Sequence, residues 1–383
     1  MKVYFDNAAT TPVHPKVLEK MLPFYNELFG NPSSIHSFGR KVRVAVEEAR
    51  ENVADFIGAN ASEIYFTSSG TEANNFSILG MAKSNLIDSG KNKIITNNSE
   101  HYAVIESFKS LEQQGFDSIT ISSTNAGRVN TEEYLSNVNN SSLVSFMHVN
   151  NVLGSINDIK NLAEIAHQNN ALFHTDAVQS FGKFKIDVND LGVDSLCASG
   201  HKIYGPKGIG MVYVRSETPI SPLLLGGSQE RNRRGGTENV AGIIGFAEAV
   251  NQLKDNIEDR SNHAANLKSK FIDGLSSIDA NGIIVNSREN SSPFVLSITF
   301  LEDHYNNDPE AMLMYLDING VAASGGAACA SGTLKPSHAI LAIGHSISNA
   351  SGTIRFSFGS ENSEAEVEYT LNVLQKMCVK FKQ

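Results

Sequence analysis

One pattern recurs between residues 64 and 214 and limits what this chain can fold into. A short apolar run ends in a cluster of small polar residues, and a helix-like segment follows. Ile64-Tyr65-Phe66 gives way to Thr67-Ser68-Ser69-Gly70-Thr71-Glu72 and a helix to about Met81. Lys93-Ile94-Ile95-Thr96 gives way to Ser99-Glu100-His101 and a helix to Gln114. The run Leu143 to Met147 closes in His148-Val149-Asn150-Asn151, and a helix follows over Ile159 to Gln168. The run Ala171 to Thr175 closes in Asp176-Ala177-Val178-Gln179. Strands alternating with helices build a mainly parallel, doubly wound α/β sheet. Ligands of such sheets sit at the carboxyl ends of the strands. Those ends carry Thr71, His101, Asn151, Asp176, Gln179, Ser199, His201 and Lys202.

The stretch from Cys197 to Gly210 is the centre of that set. An apolar run over Val193 to Ala198 meets Ser199-Gly200-His201-Lys202, then a Gly- and Pro-rich turn, then a second run from Ile209 to Val214. The pattern predicts strand, sharp polar turn, strand. A lysine held between packed elements loses solvation, so its pKa falls and its neutral amine becomes a nucleophile. Ser199 and His201 can donate to a phosphate. A lysine beside phosphate donors is what a pyridoxal phosphate site requires. Thr67 to Glu72 opens a helix with hydroxyls beside its first N–H groups, which suits an anion. Helix capping is the simpler use of the same residues. No Gly-Lys-Ser/Thr follows, so this is not a nucleotide P-loop.

A chain of 383 residues is long for one core and points to two domains, one larger than the other. The net charge of −10, without a basic block, gives no electrostatic footprint for direct nucleic-acid binding. No apolar stretch reaches a transmembrane span. The three cysteines, Cys197, Cys329 and Cys378, are too few and too scattered for a disulfide framework or a zinc site. A cytoplasmic, reducing location is the default expectation.

Beyond the central lysine lies a basic, glycine-rich segment, Glu230 to Thr237, and a helix from Asn239 to about Leu253. The remainder reads as a smaller α+β domain. Phe294 to Phe300 is a strand, and Asp308-Pro309 caps a helix that stops at Gly320. The run Ala323 to Gly332 is a small-residue loop that carries Cys329. Thr353 to Phe358 is a strand. Ser363 and Glu366 form a capping box before a final helix, whose apolar stripe takes in Cys378. Cys197 falls within a strand. Both of these cysteines are therefore expected in the core.

Chemically, Asp176 can keep a pyridine nitrogen protonated, and His101 can stack on a ring face. Asn151 and Gln179 can reach a ring hydroxyl, and Arg355 can grip a carboxylate with two parallel bonds. Singly, each has a simpler structural use. Jointly, and in this order, they describe one site.

The chain resembles the cysteine desulfurases of the class V aminotransferase group along nearly its whole length. The stretches that carry the resemblance are Tyr4 to Pro12, Asn31 to Ser34 with His36, Phe66 to Asn75, Glu100-His101, His148 to Asn151, His174 to Ala177 with Gln179-Ser180, Ser199 to Gly208, the Cys329 loop through Leu334 and Pro336-Ser337-His338, and Thr353 to Phe356. The resemblance implies a pyridoxal 5′-phosphate homodimer of the aspartate aminotransferase fold (fold type I). A large cofactor-binding domain would span 14–255, and a small domain would combine 1–13 with 256–383. Lys202 would hold the cofactor covalently. His101, Asn151, Asp176 and Gln179 would contact the ring, and Gly70, Thr71, Ser199 and His201 the phosphate. Thr237 would complete the phosphate cup from the other subunit. Arg355, Asn151 and Asn7 would hold L-cysteine. Cys329 would take its sulfur as a persulfide, with His101 accepting a proton, and pass it to an iron–sulfur scaffold or a tRNA-thiolation relay.

The chain departs from the family pattern in two places. Val152 stands where the family usually has Glu, so the hydrogen bonding near the pocket must differ. Around the cysteine, Ser324 to Ser331 has lost hydroxyls and gained a glycine, which should loosen the loop. Two other readings compete. One is a selenocysteine lyase or another class V lyase or aminotransferase. The other is a weakly active regulatory paralogue.

Overall fold

The computed structural model describes residues 1–287, 290–325 and 335–383 in full, and 329–330 and 333–334 in backbone only. The first strand, β1 (Val3–Tyr4), lies apart from the main sheet. That sheet is seven-stranded and contains β2 (Ile64–Thr67), β3 (Lys93–Asn97), β4 (Asp117–Ile121), β5 (Ser141–Ser145), β6 (Leu172–Asp176), β7 (Ser195–Ser199) and β8 (Gly210–Val214), in the order β2-β8-β7-β6-β5-β3-β4. Its pairs are parallel except where β8 runs against both β7 and β2. Every position of β5, β7 and β8 is buried. Helices cover both faces of such a sheet, so its strands read as continuous apolar or small runs without alternation.

The expected strand, polar turn and strand around Lys202 is observed. β7 leads into a single 3-10 turn over Gly200–Lys202, and the chain returns as β8. Gly210 is required by close approach, since a Cβ there would stand 2.6 Å from the Ser69 carbonyl carbon. That contact presses the returning strand against the start of the Gly70–Ser89 helix.

Three elements differ from the sequence expectation. A helix over Ser37–Phe56 begins well before Val46, from which the helically spaced apolar positions Ala49, Val53 and Phe56 lead the sequence to be read as a helix. Phe38 and Val44 are exposed and its first two turns bury only Gly39 and Val42, a thin apolar stripe, and its N-cap is the His36 ring, accepting from the Gly39 N–H at 3.3 Å. β4 is an edge strand with mostly polar, part-exposed positions. The Ile257–Asp279 helix buries nothing before Ala264.

A second, antiparallel sheet is built from β9 (Ile283–Val285), β10 (Val295–Phe300) and the last strand, β14 (Thr353–Ser357), in the order β14-β10-β9. Between them, β11 (Val321–Ala322) pairs in parallel with β1, and β12 (Cys329–Ala330) pairs with β13 (Thr333–Leu334). The expected loop at 323–332 otherwise falls largely outside the described residues.

Buried apolar side chains divide along the same lines. One cluster joins the main sheet to helices from residue 17 to residue 253. Another gathers Val3 and Phe5 with Phe271, Leu296, Ile298, Phe356, Leu374 and Cys378. Each fully buried Leu, Ile or Phe contributes about 1.5–3 kcal/mol. Cys197 and Cys378 are both buried, as expected. Among the described residues no helix is long and apolar enough to cross a membrane.

Candidate active site

The carboxyl ends of β2, β3, β5, β6 and β7 open onto one cavity of about 370 Å³. Its wall includes Gly70, Thr71, His101, Asn151, Asp176, Gln179, Ser199, His201, Lys202 and Arg355. The sequence named all of these. All but Arg355, which comes from β14 of the second sheet, meet because the main-sheet strands on which they end, or after which they turn, point the same way.

Lys202 projects from the 3-10 turn. Its Nζ donates to the Ala8 carbonyl at 2.7 Å and to the Ala9 carbonyl at 2.6 Å. Burial, and then the Arg355 cation, push its pKa down to about 8, against the opposing pull of Asp6 and Asp176. A sizeable fraction of the amine is therefore neutral near physiological pH, which a nucleophile requires.

Asp176 ends β6 and is held at both oxygens. Oδ1 accepts from the Val178 N–H at 2.9 Å, and Oδ2 accepts from the Asn74 amide at 2.8 Å. Asn74 is fixed in turn, since its Oδ1 receives His174 Nε2 at 2.9 Å and the Cys197 thiol at 3.1 Å. Burial lowers the His174 pKa to about 4, so the ring is neutral and its Nε2–H is the donor. Sequence reading gave no role to Asn74, His174 or Cys197 here, although all three lie in or beside quoted motifs. They come from a helix and two strands far apart in the chain, and only the fold pairs them. Asp176→Asn should lower kcat with L-cysteine by about 10²–10³-fold, the usual loss for one buried electrostatic partner. Visible absorption should still show bound cofactor, and near-normal turnover would remove Asp176 from the ring-nitrogen role.

At another part of the wall, Ser199 Oγ is buried with no hydrogen-bond partner among the described residues. An unpaired buried hydroxyl costs free energy unless a ligand completes it. Gly70 and Thr71 start the Gly70–Ser89 helix beside it, capped by Ser69, whose Oγ accepts from the Glu72 N–H at 3.2 Å. His201 lies close to Thr10 Oγ1 at 3.2 Å. Burial and the Lys202 and Lys207 cations drop its pKa to about 4. Free N–H groups at a helix start, together with an unspent hydroxyl, fit a phosphate. The cavity between Asp176 and Ser199, with Lys202 alongside, therefore has the donor set and anion that pyridoxal phosphate needs.

Arg355 rises from β14. It donates through Nη2 to Asp6 Oδ1 at 2.7 Å and through Nη1 to the Asn151 carbonyl at 2.9 Å. Its Nε is buried without a partner among the described residues, leaving a donor for a carboxylate. The structure does not bring Asn7 to this cavity. Its amide is spent on the Ser357 carbonyl at 3.0 Å and Asn362 Oδ1 at 3.1 Å, where it ties the first strand's exit to the end of β14. Asp6, one residue earlier, is the one that bonds to a residue of the cavity wall, Arg355. Thr237 is exposed and also lies off the cavity wall of its own chain.

His101 caps the Tyr102–Glu112 helix, its Nδ1 accepting from the Ala103 N–H at 3.1 Å. Beside it are Tyr102 and His338, which sequence reading left without a role. Their rings are 4.8 Å apart, and His338 Nε2 donates to the Glu100 carbonyl at 2.7 Å. Glu100 itself is buried, and burial raises its pKa well above the carboxylate range. Val152 lines the cavity too, and packs with Leu153 against Ala339, Ile340 and Ala350. The expected change in hydrogen bonding at this position takes the form of an apolar contact between the β5 exit and the His338–Ala342 helix.

This chain belongs to the class V aminotransferase family, whose profile matches residues 3–370. Within that family it stands with the cysteine desulfurases. It is 42% identical over 382 residues to the cysteine desulfurase IscS of Dictyoglomus turgidum, an alignment that covers 100% of this chain and 95% of the relative. It is 40% identical to a Clostridium botulinum cysteine desulfurase IscS, covering 98% and 94%. Among solved structures, a NifS-like protein superposes with a TM-score of 0.91 at 36% identity, covering both chains fully. SspA in complex with cysteine superposes with a TM-score of 0.81 at 35% identity, covering 94% of this chain and 99% of the other. The α/β architecture of fold type I and the kinship expected from the sequence are both borne out.

Proposed function

We propose that this chain is a pyridoxal 5′-phosphate-dependent cysteine desulfurase that converts L-cysteine to L-alanine and leaves the sulfur as a persulfide on Cys329. The observation that carries the reading is Lys202, a half-buried amine with its pKa near 8, on one cavity wall with Asp176 and the unpartnered Ser199 hydroxyl.

Bound there, the cofactor supplies an electron sink that weakens bonds around the substrate's Cα. Lys202 would anchor the group, and its amine, when free, would carry a proton to and from the substrate's Cα. Asp176 keeps the ring nitrogen protonated. Ser199, His201, Gly70 and Thr71 hold the phosphate, while Asn151 and Gln179 meet the ring hydroxyl. His101 covers the ring face and accepts the thiol proton. Arg355 orients the substrate by its carboxylate through Nε and its neighbouring N–H groups.

The same reading makes the enzyme a cytoplasmic homodimer. Leu18, Leu22, Tyr25, Phe29, Ile35 and Phe38 form a dense run of exposed large apolar side chains, which supports a self-association face. Thr237, exposed on a loop anchored through Glu230 to Arg50 at 2.7 Å, would reach the second copy's phosphate. The reading divides the chain at 14–255 and at 1–13 with 256–383, and the two buried apolar clusters support that division. The sulfur would pass to an iron–sulfur scaffold or a tRNA-thiolation relay.

Product analysis tests the activity. Purified, cofactor-loaded enzyme given L-cysteine and a thiol reductant should release sulfide and alanine in equal amounts. A keto acid formed with an amino acceptor would replace this reading with an aminotransferase.

A further inference from the structure

Lys183 has no part in the chemistry above, yet it is 7% exposed and stands close behind the cavity. Its Nζ sits over the face of the Phe294 ring, 5.8 Å from the centroid. Burial, and then the Lys202, Arg260 and Arg355 cations around it, bring its pKa down to about 7. A cation in such a place is costly unless it has a specific partner. Its hydrogen-bond acceptor is Gln179 Oε1, at 2.8 Å.

Gln179 lines the cavity and has an amide with two different ends. Its Nε2 donates one hydrogen to the Ala8 carbonyl at 2.9 Å and keeps a second. Turned over, the same amide would present its carbonyl where that hydrogen now is. In its protonated form Lys183 has only donors, so it accepts one of the two orientations and rejects the other, and the Ala8 carbonyl, an acceptor only, favours the same orientation from the amide's other end. We propose that Lys183 is a positioning residue that fixes the Gln179 amide with its N–H, and not its oxygen, toward the cavity. The proposal rests on the pyridoxal phosphate reading, in which Gln179 donates to the ring hydroxyl oxygen. A reversed amide would set two oxygens against each other.

The test is the pH midpoint at which the visible band of the bound cofactor changes, read on holoenzyme without substrate. Gln179→Ala should raise the midpoint by on the order of one pH unit, because the oxygen loses a stabilising donor. Lys183→Met should raise it by a smaller amount, because the Ala8 carbonyl still favours the same orientation, and the double variant should go no further than Gln179→Ala alone. Lys183→Arg, which keeps the donor, should stay near wild type. If Lys183→Met does not fold, Lys183→Leu, which also lacks a donor, takes its place and should give the same rise. No shift in Gln179→Ala overturns the reading of Gln179 itself, and the proposal with it. A shift in Gln179→Ala but none at Lys183 overturns the proposal alone. Fully additive shifts also overturn it, because Lys183 would then act directly through its charge.

Discussion

Lys202→Ala protein should turn over L-cysteine on the order of 10⁴-fold or more slowly, the scale seen when a covalent catalytic group is removed. Borohydride treatment of wild type should fix the cofactor on this residue, and the variant should bind it only reversibly. Geometry makes the expectation specific. Lys183 is committed to Gln179, and Lys207 is exposed outside the cavity wall. Lys202 alone among these three lines the cavity, with its Nζ on the Ala8 and Ala9 carbonyls. The direction of its shift matters. Lowering the pKa to about 8 enlarges the neutral, nucleophilic fraction at every pH below the ordinary lysine value. Peptide mapping that found the label on Lys207 would sink the assignment.

Cys329→Ser should keep the colour of the bound cofactor and still bind L-cysteine, while forming no persulfide and releasing no alanine. Lys202, Asp176 and Arg355 are untouched by the change. The other two cysteines are poor substitutes. Cys197 is fully buried and gives its thiol hydrogen to Asn74, and burial, reinforced by Asp176, pushes its pKa far up. Cys378 is packed in the second apolar cluster, and burial raises its pKa as well. Only thiolates attack, so both stay inert at neutral pH. Cys197→Ala and Cys378→Ala should therefore retain activity, each at a stability loss of about 1 kcal/mol. Brief exposure of wild type to L-cysteine, alkylation and mass mapping should find the extra sulfur on Cys329. Finding it on Cys197 or Cys378, or full turnover in Cys329→Ser, would overturn the mechanism.

Much of the site was legible because strand ends announce themselves. Apolar runs over Ile64, Ile94, Val144, Phe173 and Leu196 each stop at polar residues, and a parallel sheet gathers those stops on one edge. Asp176, Ser199 and Lys202 needed nothing more. Asn7 sits in the same motif as Asp6, but their side chains take different partners, Asn7 on the Ser357 carbonyl and Asp6 on Arg355, a difference that the motif does not announce. The partners of Asp176 were hidden for a different reason. Asn74 is a hundred or more residues from both His174 and Cys197, and no spacing within one element links the three. Lys183 reads locally as a lysine in a polar turn, and only the packing of Phe294 over it reveals a buried charge. Helix starts capped by histidine, as at His36 and His101, carry none of the Ser, Thr, Asp or Asn signals on which such boundaries are usually read.

The pairing of β1 with β11 has a consequence for how the polypeptide is made. Val3 lies opposite Val321, and Asp6 bridges to Ser357 and holds Arg355. On a ribosome the first residues emerge long before those partners exist. At about 5–20 residues per second, the interval is roughly 15–60 s. Throughout it Phe5, fully buried in the finished protein, has no second cluster to enter. The nearby segment does have an early berth, since the Thr11 N–H pairs with the His201 carbonyl and Ala8 and Ala9 receive Lys202. A nascent chain stalled before residue 321 should thus hold residues 8–11 against the main sheet while residues 3–6 remain open to proteases and chaperones. Limited proteolysis of stalled chains would show that protection beginning where the lysine's carbonyl partners begin.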